Sequence, residues 1–361
     1  MAIRRLLIVL PSLLALLATA CTTAPAATPA AAPARTAQRV PHSASPSSRP
    51  ASAGAVAGSV TLAFGGDVHF TGRTARLLND PATAFGPIAP LLKSADFTAV
   101  NLETSVTSRG VPQPKTYHFR TVPAAFTALR DAGVDLVTMA NNHVLDYGTV
   151  GLADTLAAAK AARFPYVGIG KNAAAAWAPY VTTVKGMRIA IVGVSQVADL
   201  ASSWVATPSR PGEANAIDLG RTLAAVRAAG RLAPIVIVFM HWGTEGVTCP
   251  NQNQLSLARQ LSAAGASIII GAHAHVLQGS GWLGHTFVAY GMGNFLWYVH
   301  SAPTGVLELT LHPHAPLTAR FIPAFISSTG QPVVERGVMA RQAVANYDSL
   351  RACAELAPQP S

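Results

Sequence analysis

From residue 59 onwards, short apolar segments alternate with longer Ala/Leu-rich segments, and this alternation constrains the fold more than any other feature of the sequence. The short segments have the length and the apolar continuity of buried strands, whereas the longer ones have helical spacing of Ala and Leu. Repeated strand–loop–helix order is typical of α/β layering, in which the central strands are buried on both faces. The sequence therefore predicts an α/β fold.

The predicted elements follow from these patterns, bounded by turn residues. The predicted strands span residues 60–64, 97–100, 134–139, 166–169, 180–184, 188–194, 235–240, 267–270, 288–290, 306–311 and 317–323. The predicted helices span residues 123–132, 148–163, 213–230, 251–264 and 340–356. Segments 180–184 and 188–194 are expected to form a hairpin. Segments 306–311 and 317–323 are expected to form an antiparallel pair that closes a second sheet.

Polar side chains stand out because each follows the carboxyl end of a predicted strand. They are Asp67, Glu103, Asn142, His241 and His273. In α/β sheets, ligand sites gather at the edge where the carboxyl ends of the strands meet. The sequence therefore predicts one functional site that collects residues from distant parts of the chain.

Two of these residues begin short pairs in which a second candidate ligand follows two positions later. Asp67 precedes His69 in GDVHF, and His273 precedes His275 in GAHAH. In an extended backbone, residues i and i+2 project to the same side, so each pair can converge on one point.

The combined set offers imidazole nitrogens, carboxylate oxygens and an amide oxygen. These are more ligands than one metal ion needs, and they suit two ions if a carboxylate bridges them. Mixed nitrogen and oxygen ligation favours Mn, Fe or Zn over Ca or Mg. Two metals roughly 3.5–4 Å apart can activate a water molecule and stabilise charge on the attacked and leaving oxygens. His143, beside Asn142, need not be a ligand and is the predicted proton donor.

Together these motifs resemble the CapA family, the capsule or poly-γ-glutamate synthesis proteins, which share the calcineurin-like metallophosphoesterase fold. The matching segments run in family order over about residues 59–300: GGDVHFTGR, NLETSVT, KTYHFR, ANNHVLDYG, HWGTE, GAHAHVLQG and YGMGNFLW. The resemblance implies two central mixed β-sheets flanked by helices. It also implies one metal bound by Asp67, His69, Glu103 and His275, and another bound by Glu103, Asn142, His241 and His273. Metallophosphoesterases usually place Asp where Glu103 stands, and the longer side chain can alter the metal spacing.

Three further residues are candidate substrate ligands. Arg73 can contact an anionic substrate or form only a surface ion pair; Glu245 can accept a proton near His241 or be solvated. Asn294 either contributes to the site or only fixes a turn. Asp146 can orient His143 or cap the helix that begins near residue 148.

The N-terminus predicts export. Arg4 and Arg5 precede a short apolar run, so residues 1–20 are expected to be a signal peptide. Cys21 follows directly, as in a bacterial lipobox, and is the expected lipidation site. Residues 21–58 are rich in Ala, Pro, Ser and Thr and are predicted to form a disordered tether. The expected location is the outer face of the cell membrane as a lipoprotein, or otherwise secretion.

The distribution of charge along the chain excludes a nucleic-acid partner. The formal charge is +10, but residues 1–58 contribute five Arg with no acid, and no basic cluster follows. Nucleic-acid binding needs a clustered basic surface. The remaining cysteines, Cys249 and Cys353, form an even pair outside the cytosol, so they are expected to be either a disulfide or both free and buried.

Two functions are consistent with these features. The first is a surface-anchored metal-dependent hydrolase whose CapA-like domain spans residues 59–300, with residues 301–361 packed on it. Its expected partner is an anionic polymer such as poly-γ-glutamate, or a phosphoester. The alternative is a non-catalytic polymer-binding or scaffold lipoprotein of the capsule export machinery. A complete ligand set with His143 favours retained chemistry, although a shared fold does not establish activity.

Overall fold

The computed structural model describes residues 58–361, so the predicted signal peptide, Cys21 and nearly all of the predicted tether lie outside the described residues. The strands are β1 (Val60–Val68), β2 (Phe97–Leu102), β3 (Ser105–Val106), β4 (Arg120–Thr121), β5 (Leu136–Thr138), β6 (Tyr166–Val167), β7 (Ile169–Gly170), β8 (Tyr180–Val184), β9 (Met187–Ser195), β10 (Gly212–Glu213), β11 (Ile235–Trp242), β12 (Ile268–His273), β13 (Ser280–Leu283), β14 (Thr286–Ala289), β15 (Asn294–Leu296), β16 (Pro303–His312), β17 (Ala315–Ile326) and β18 (Pro332–Val334). The helices are α1 (Ala89–Ser94), α2 (Ala124–Asp131), α3 (Gly148–Ala162), α4 (Ala173–Ala176), α5 (Ala201–Trp204), α6 (Leu219–Gly230), α7 (Gln252–Ala263) and α8 (Gly337–Ser349). Among these helices, none has the length and apolar character needed to cross a membrane.

Two large mixed sheets form the centre of the molecule. The first has the order β18-β17-β16-β1-β2-β5-β6, with β15 also pairing with β1; the second has the order β13-β14-β12-β11-β9-β8. In the first sheet β1, β2, β5 and β6 are parallel and β16, β17 and β18 are antiparallel on one side. In the second sheet the central strands are parallel and antiparallel strands lie at both edges. The predicted α/β fold with two mixed sheets flanked by helices is confirmed.

Side-chain alternation along the strands places apolar residues on both faces of each sheet. Leu62 and Phe64 of β1 belong to the same buried cluster as Ile237 and Phe239 of β11, and the Phe64 and Phe239 rings meet edge to face at 6.4 Å. The opposite face of the first sheet packs against α1, α2 and α3, and that of the second against α6 and α7. The protein therefore has four layers, with helices outside and the two sheets inside.

Three predicted elements are wrong in extent. The predicted helix 340–356 spans only Gly337–Ser349. The predicted strand 166–169 is split into β6 and β7, because Gly168 has φ +93° and a Cβ there would lie 2.5 Å from the Cβ of Ala140. The predicted helix 213–230 begins only at Leu219, where the Asp218 side chain accepts a hydrogen bond from the Arg221 backbone N and caps the helix. Glu213 lies instead in β10, paired with β7.

The C-terminal segment joins the first sheet. β16 and β17 form the expected antiparallel pair, but β16 pairs with β1, so the expectation that they close a second sheet is wrong. Helix α8 packs on β17. The turn that follows α8 carries Cys353, which is bonded to Cys249 in the loop after β11, with a Cα–Cα distance of 5.6 Å.

The Cys353→Ser variant is expected to lose about 2–5 kcal/mol of unfolding free energy, because the bond closes a chain separation of 104 residues. Urea unfolding of the variant and of the wild-type protein measures the difference. Reductant should lower the wild-type midpoint to that of the variant and leave the variant unchanged. Equal midpoints without reductant would contradict the prediction.

Candidate metal centre

The two sheets bring the predicted ligands together at one edge. Asp67 lies near the end of β1 and Glu103 directly follows β2, while Asn142 and His143 follow β5. His241 lies in β11 and His273 ends β12. The side chains of Asp67, Glu103 and His241 are fully buried, Asn142, His143 and His273 are nearly so, and the His275 side chain is the most exposed of the set, at 20%. A set of polar groups buried this deeply needs partners.

Close backbone approach positions Asp67. The Asp67 backbone N donates to the Gly293 carbonyl oxygen at 2.9 Å, and Asn294 lies beside Asp67 in register. A Cβ on Gly66 would lie 1.8 Å from that same carbonyl oxygen, so only glycine fits before Asp67. The GGD sequence therefore allows β1 to lie against β15 and directs Asp67 into the site.

The ligand atoms form two overlapping groups, each within 4.8 Å. One group is Glu103, His273 and His275, and the other is Asp67, Glu103 and His241. Glu103 belongs to both, which is the arrangement expected of a bridging carboxylate. The pairing of His273 with His275 differs from the ligand sets that the resemblance implied, and Asn142 belongs to neither group although its Oδ1 lies 2.8 Å from Nε2 of His241. The assignment of residues to individual ions stays a prediction.

Buried ligand atoms without partners support cation binding. Oε1 of Glu103 and Nδ1 of His273 have no hydrogen-bond partner. Leaving such atoms unpaired costs about 1–3 kcal/mol each, and a divalent cation would satisfy both. Nitrogen and oxygen donors of this kind fit Mn, Fe or Zn, so the residues present suit a divalent metal.

Electrostatics of the metal-free site point the same way. Burial, followed by the nearby Asp67 charge, raises the pKa of Glu103 well above its usual range. Burial, followed by the His275 charge, lowers the pKa of His273 to about 3. Burial also lowers the pKa of His241. His241 and His273 are therefore neutral, the form in which histidine binds a metal. Burial acts to lower the pKa of His275 too, but the hydrogen bond to Asp67 and the charge of that carboxylate raise it.

The backbone at the GAHAH motif is strained. His273 has φ +85° and His275 has φ +58°, in the left-handed region that residues other than glycine seldom adopt. The two rings converge, with centroids 5.9 Å apart. They converge because the chain turns here and not because it is extended, so the predicted convergence holds with a different geometry.

His69 is placed differently from the other predicted ligands. Its Nδ1 accepts a hydrogen bond from the Thr71 backbone N at 3.1 Å, so Nε2 carries the proton of the neutral ring. This buried Nε2, like Nδ1 of His273, has no hydrogen-bond partner. The ring packs against Trp297, with centroids 3.9 Å apart. His69 is in neither ligand group, and binding a metal through Nε2 would require this hydrogen bond to break. Its role as a ligand stays a prediction.

Asn101 is a site residue that the sequence analysis missed. It is fully buried, and its Nδ2 donates to Oδ1 of Asp67 at 2.8 Å and lies 3.4 Å from Oε2 of Glu103 and 3.2 Å from Nδ1 of His241. Its Oδ1 accepts from Nδ2 of Asn141 at 3.1 Å. One amide therefore contacts three candidate ligands and holds them in place.

The Asn101→Leu variant, which keeps the branching at Cγ and removes the donor, is expected to bind Mn²⁺ or Zn²⁺ about 10–100-fold more weakly, the usual cost of losing a group that orients ligands. Isothermal titration calorimetry measures the affinity. Asn79→Leu, at an exposed position, serves as the matched control. Unchanged affinity in Asn101→Leu would show that the ligands orient themselves.

His143 is held beside the ligands by Asp146. Its Nδ1 donates to Oδ2 of Asp146 at 2.6 Å, while Nε2 lies 3.9 Å from Oε1 of Glu103. Phe119 stacks on the ring at 3.9 Å and its backbone N donates to the same Asp146 oxygen. Asp146 therefore orients His143 and does not cap α3, whose N-cap has no side-chain hydrogen bond. Burial lowers the pKa of His143 to about 4 despite the Asp146 contact.

Lys115 also lies at the site and was not singled out from the sequence. Its Nζ is 3.0 Å from Oδ1 of Asp146 and contacts the Asn142 carbonyl oxygen. The side chain is only 10% exposed. Lys115 therefore fixes Asp146 from the side opposite His143.

An open cleft of about 360 Å³ gives access to this edge. Its lining includes Lys115, Asn142, His143, Asp199 and Glu245. The predicted substrate ligand Glu245 thus faces the cleft. The predicted ligand Arg73 does not line it: the exposed guanidinium donates to the Ser328 carbonyl oxygen at 2.9 Å. Its substrate role stays a prediction.

The fold and the site define an α/β protein with candidate divalent-metal ligands at the joined edges of two mixed sheets. The chain belongs to the family described as bacterial capsule synthesis protein PGA_cap, which matches residues 61–298. The family suggested by the sequence motifs is thereby confirmed.

Named relatives support this family. Capsule biosynthesis protein CapA of Bacillus anthracis is 30% identical over 246 residues, which cover 66% of this chain and 59% of that protein. PGA biosynthesis protein CapA of Bacillus subtilis (strain 168) is 32% identical over 243 residues, which cover 66% of this chain and 63% of that protein. A probable polyglutamine synthesis accessory protein of Mycobacterium tuberculosis is 34% identical over 195 residues, half of each chain. The chain thus spans about three fifths of the length of the two CapA relatives.

Solved structures with a similar fold include a novel phosphatase from Mycoplasma pneumoniae, with a TM-score of 0.47 and 14% identity over 79% of this chain and 97% of the other. A 5'-nucleotidase from Candida albicans has a TM-score of 0.43 and 10% identity over 81% of this chain and 57% of the other. The family assignment rests on the sequence matches and not on these structures.

Proposed function

We propose that this protein is a metal-dependent hydrolase of capsule or poly-γ-glutamate production, with two divalent ions, Mn, Fe or Zn, at the candidate metal centre. The observation that carries the proposal is Glu103, which is buried and shared by two ligand groups, with His143 beside it. A shared carboxylate is how two ions are held close enough to act on one bond. The relatives' names in capsule and polyglutamate synthesis supply the biological context.

The residues that would hold the ions share burial at the sheet edge. They are Asp67, Glu103, Asn142, His241, His273 and His275. Bound ions would supply an activated water molecule and stabilise developing negative charge. Asn101 orients the ligands, and the open cleft admits the substrate.

Protonation of the leaving group is the proposed task of His143. Asp146 accepts the Nδ1 proton in a hydrogen bond, so Nε2 of the neutral ring is unprotonated and faces the ligand groups. It would take up a proton from the attacking water and pass it to a leaving oxygen or nitrogen. Lys115 keeps Asp146 in place on its other side. This chemistry serves a phosphoester or the amide of a γ-linked polymer equally, and the proposed partner is an anionic surface polymer or a phosphoester.

Metal analysis combined with a substrate panel tests the proposal. Purified protein is expected to contain close to two equivalents of Mn, Fe or Zn and to cleave bis(p-nitrophenyl) phosphate or poly-γ-glutamate. His273→Ala should lose both properties. If the metal-loaded wild-type protein cleaves neither compound, the hydrolase proposal fails and a polymer-binding or scaffold role stands.

We also propose anchoring by lipid on Cys21, supported by the preceding apolar run and the Ala/Pro/Ser-rich segment that follows. The Cys21→Ala variant is expected to move from the membrane fraction to the medium, because the signal would be cleaved without lipid attachment. Immunoblots of both fractions measure the shift. A Cys21→Ala variant that stays with the membrane like the wild-type protein would contradict lipidation at Cys21.

A further inference from the structure

A second cavity, of about 340 Å³, lies beneath helix α8 and reaches the candidate metal centre at His275. One wall is formed by Thr304 of β16 together with Phe321 and Ala324 of β17, and the opposite wall by α8. This volume is within the roughly 300–1,000 Å³ typical of small-molecule sites. The cavity is distinct from the cleft beside His143, since His275 alone connects it with the metal ligands.

The inner stripe of α8 is unusual for a helix that packs on a sheet. The residues that line the cavity follow helical spacing: Met339, Gln342, Ala343, Asn346, Tyr347 and Leu350. A core-facing helix normally carries large apolar side chains along such a stripe. Here its middle is Gln342, Ala343 and Asn346, and only Tyr347 is fully buried in α8. Small and polar residues therefore leave space beneath the helix.

The charge of the lining restricts what can occupy this space. Glu335 and His275 line the cavity, and no Lys or Arg is among the residues that surround it in the described chain. His275 Nδ1 already pairs with Oδ2 of Asp67 at 3.1 Å, whereas Oε2 of Glu335 has no hydrogen-bond partner. An anion placed there would meet the Glu335 carboxylate with no unpaired cation beside it, which costs free energy in a partly desolvated space. Apolar walls with one carboxylate instead suit an apolar body that is neutral or positively charged.

We propose that the cavity beneath α8 binds a neutral or cationic organic group with an apolar body. We further infer that this group is the part of the substrate adjacent to the bond held at the metal centre, because His275 belongs to both places; this second statement rests on the proposed function. By the same charge argument, the α-carboxylate beside each amide of poly-γ-glutamate would not enter the cavity, so this inference favours the phosphoester among the two proposed substrates.

Three probes that differ mainly in charge test the binding: 4-nitrobenzyl alcohol, 4-nitrobenzylamine and 4-nitrobenzoate, titrated calorimetrically into the full-length protein. The alcohol and the amine are expected to bind at least tenfold more tightly than the carboxylate. Glu335→Gln should reduce the difference in affinity between the carboxylate and the other two probes. Equal affinity for the carboxylate, or no binding of the alcohol at 10 mM, would overturn the proposal.

Two tryptophan variants on α8 locate the probe. Ala343→Trp fills the cavity and is expected to weaken binding of the alcohol at least tenfold. Ala345→Trp, at an exposed position on the same helix, should leave binding within twofold of wild type. If both variants bind like the wild-type protein, the probe lies elsewhere and the proposal is wrong.

The link to the metal centre has its own test. The non-hydrolysable 4-nitrobenzylphosphonate should bind the metal-loaded protein at least tenfold more tightly than the alcohol and lose this gain after treatment with a chelator. A phosphonate no tighter than the alcohol overturns the link. None of these measurements requires turnover. A protein that binds the probes but cleaves nothing would therefore contradict the proposed hydrolase function and still support ligand binding in the cavity.

Discussion

Replacing Glu103 with glutamine is expected to abolish binding of both proposed metal ions. Among the described residues, Glu103 is the only one shared by the two ligand groups, and its Oε1 has no hydrogen-bond partner. Glutamine keeps the shape but loses the negative charge and one anionic ligand, so we expect affinity for Mn²⁺ or Zn²⁺ to fall by more than about 100-fold, beyond the loss typical of residues behind the ligands.

Mass spectrometry of metal content after dialysis measures this effect, with calorimetry to give the affinity. Glu308→Gln is the matched control, because Glu308 of β16 pairs with Arg320 of β17 and belongs to neither ligand group. A Glu103→Gln protein that still holds two equivalents of metal would show that Glu103 does not bridge the ions.

The His143→Ala variant is expected to keep its metal and to lose turnover by roughly 10²–10⁴-fold, the usual contribution of a general acid. His143 contacts Asp146 through Nδ1, and its Nε2 lies 3.9 Å from Glu103, so its removal leaves the candidate ligands in place. The comparison variant is His273→Ala, which should lose metal and turnover together.

Metal content and cleavage of bis(p-nitrophenyl) phosphate are measured on the same preparations. Loss of metal in His143→Ala as complete as in His273→Ala would assign His143 to the ligands. Unchanged cleavage by metal-loaded His143→Ala would assign the proton transfer to another group.

The edge at which the site lies could be predicted because polar residues interrupt otherwise apolar strand ends. Asp67, Glu103, Asn142, His241 and His273 each stand at such a break, and the structure places them together. The carboxyl ends of parallel strands lie at the same edge of a sheet, so the location of the site could be predicted without the order of the strands. Strand pairing, in contrast, depends on long-range packing, which is why β16 and β17 were assigned to the wrong sheet.

The residues that support the ligands could not be predicted in the same way. Asn101 stands inside an apolar strand and Lys115 in a loop, and neither position has ligand spacing. Their importance arises from contacts with residues far away in the chain, such as Asn101 with His241 and Lys115 with Asp146. The turn at His273 and His275 was equally hidden, because positive φ is seldom adopted outside glycine and a sequence pattern does not reveal it.

Apart from His69, the donors divide by sheet: the first sheet supplies the oxygen atoms and the second supplies the imidazole nitrogens. An ion that prefers oxygen can be held by the first sheet alone, whereas an ion that needs nitrogen has to join both. An ion that binds nitrogen ligands of the second sheet and oxygen ligands of the first would stabilise the packing of the two sheets, because it binds only when they are packed together. The identity of the bound metal would therefore determine how much it stabilises the packing of the two sheets against each other.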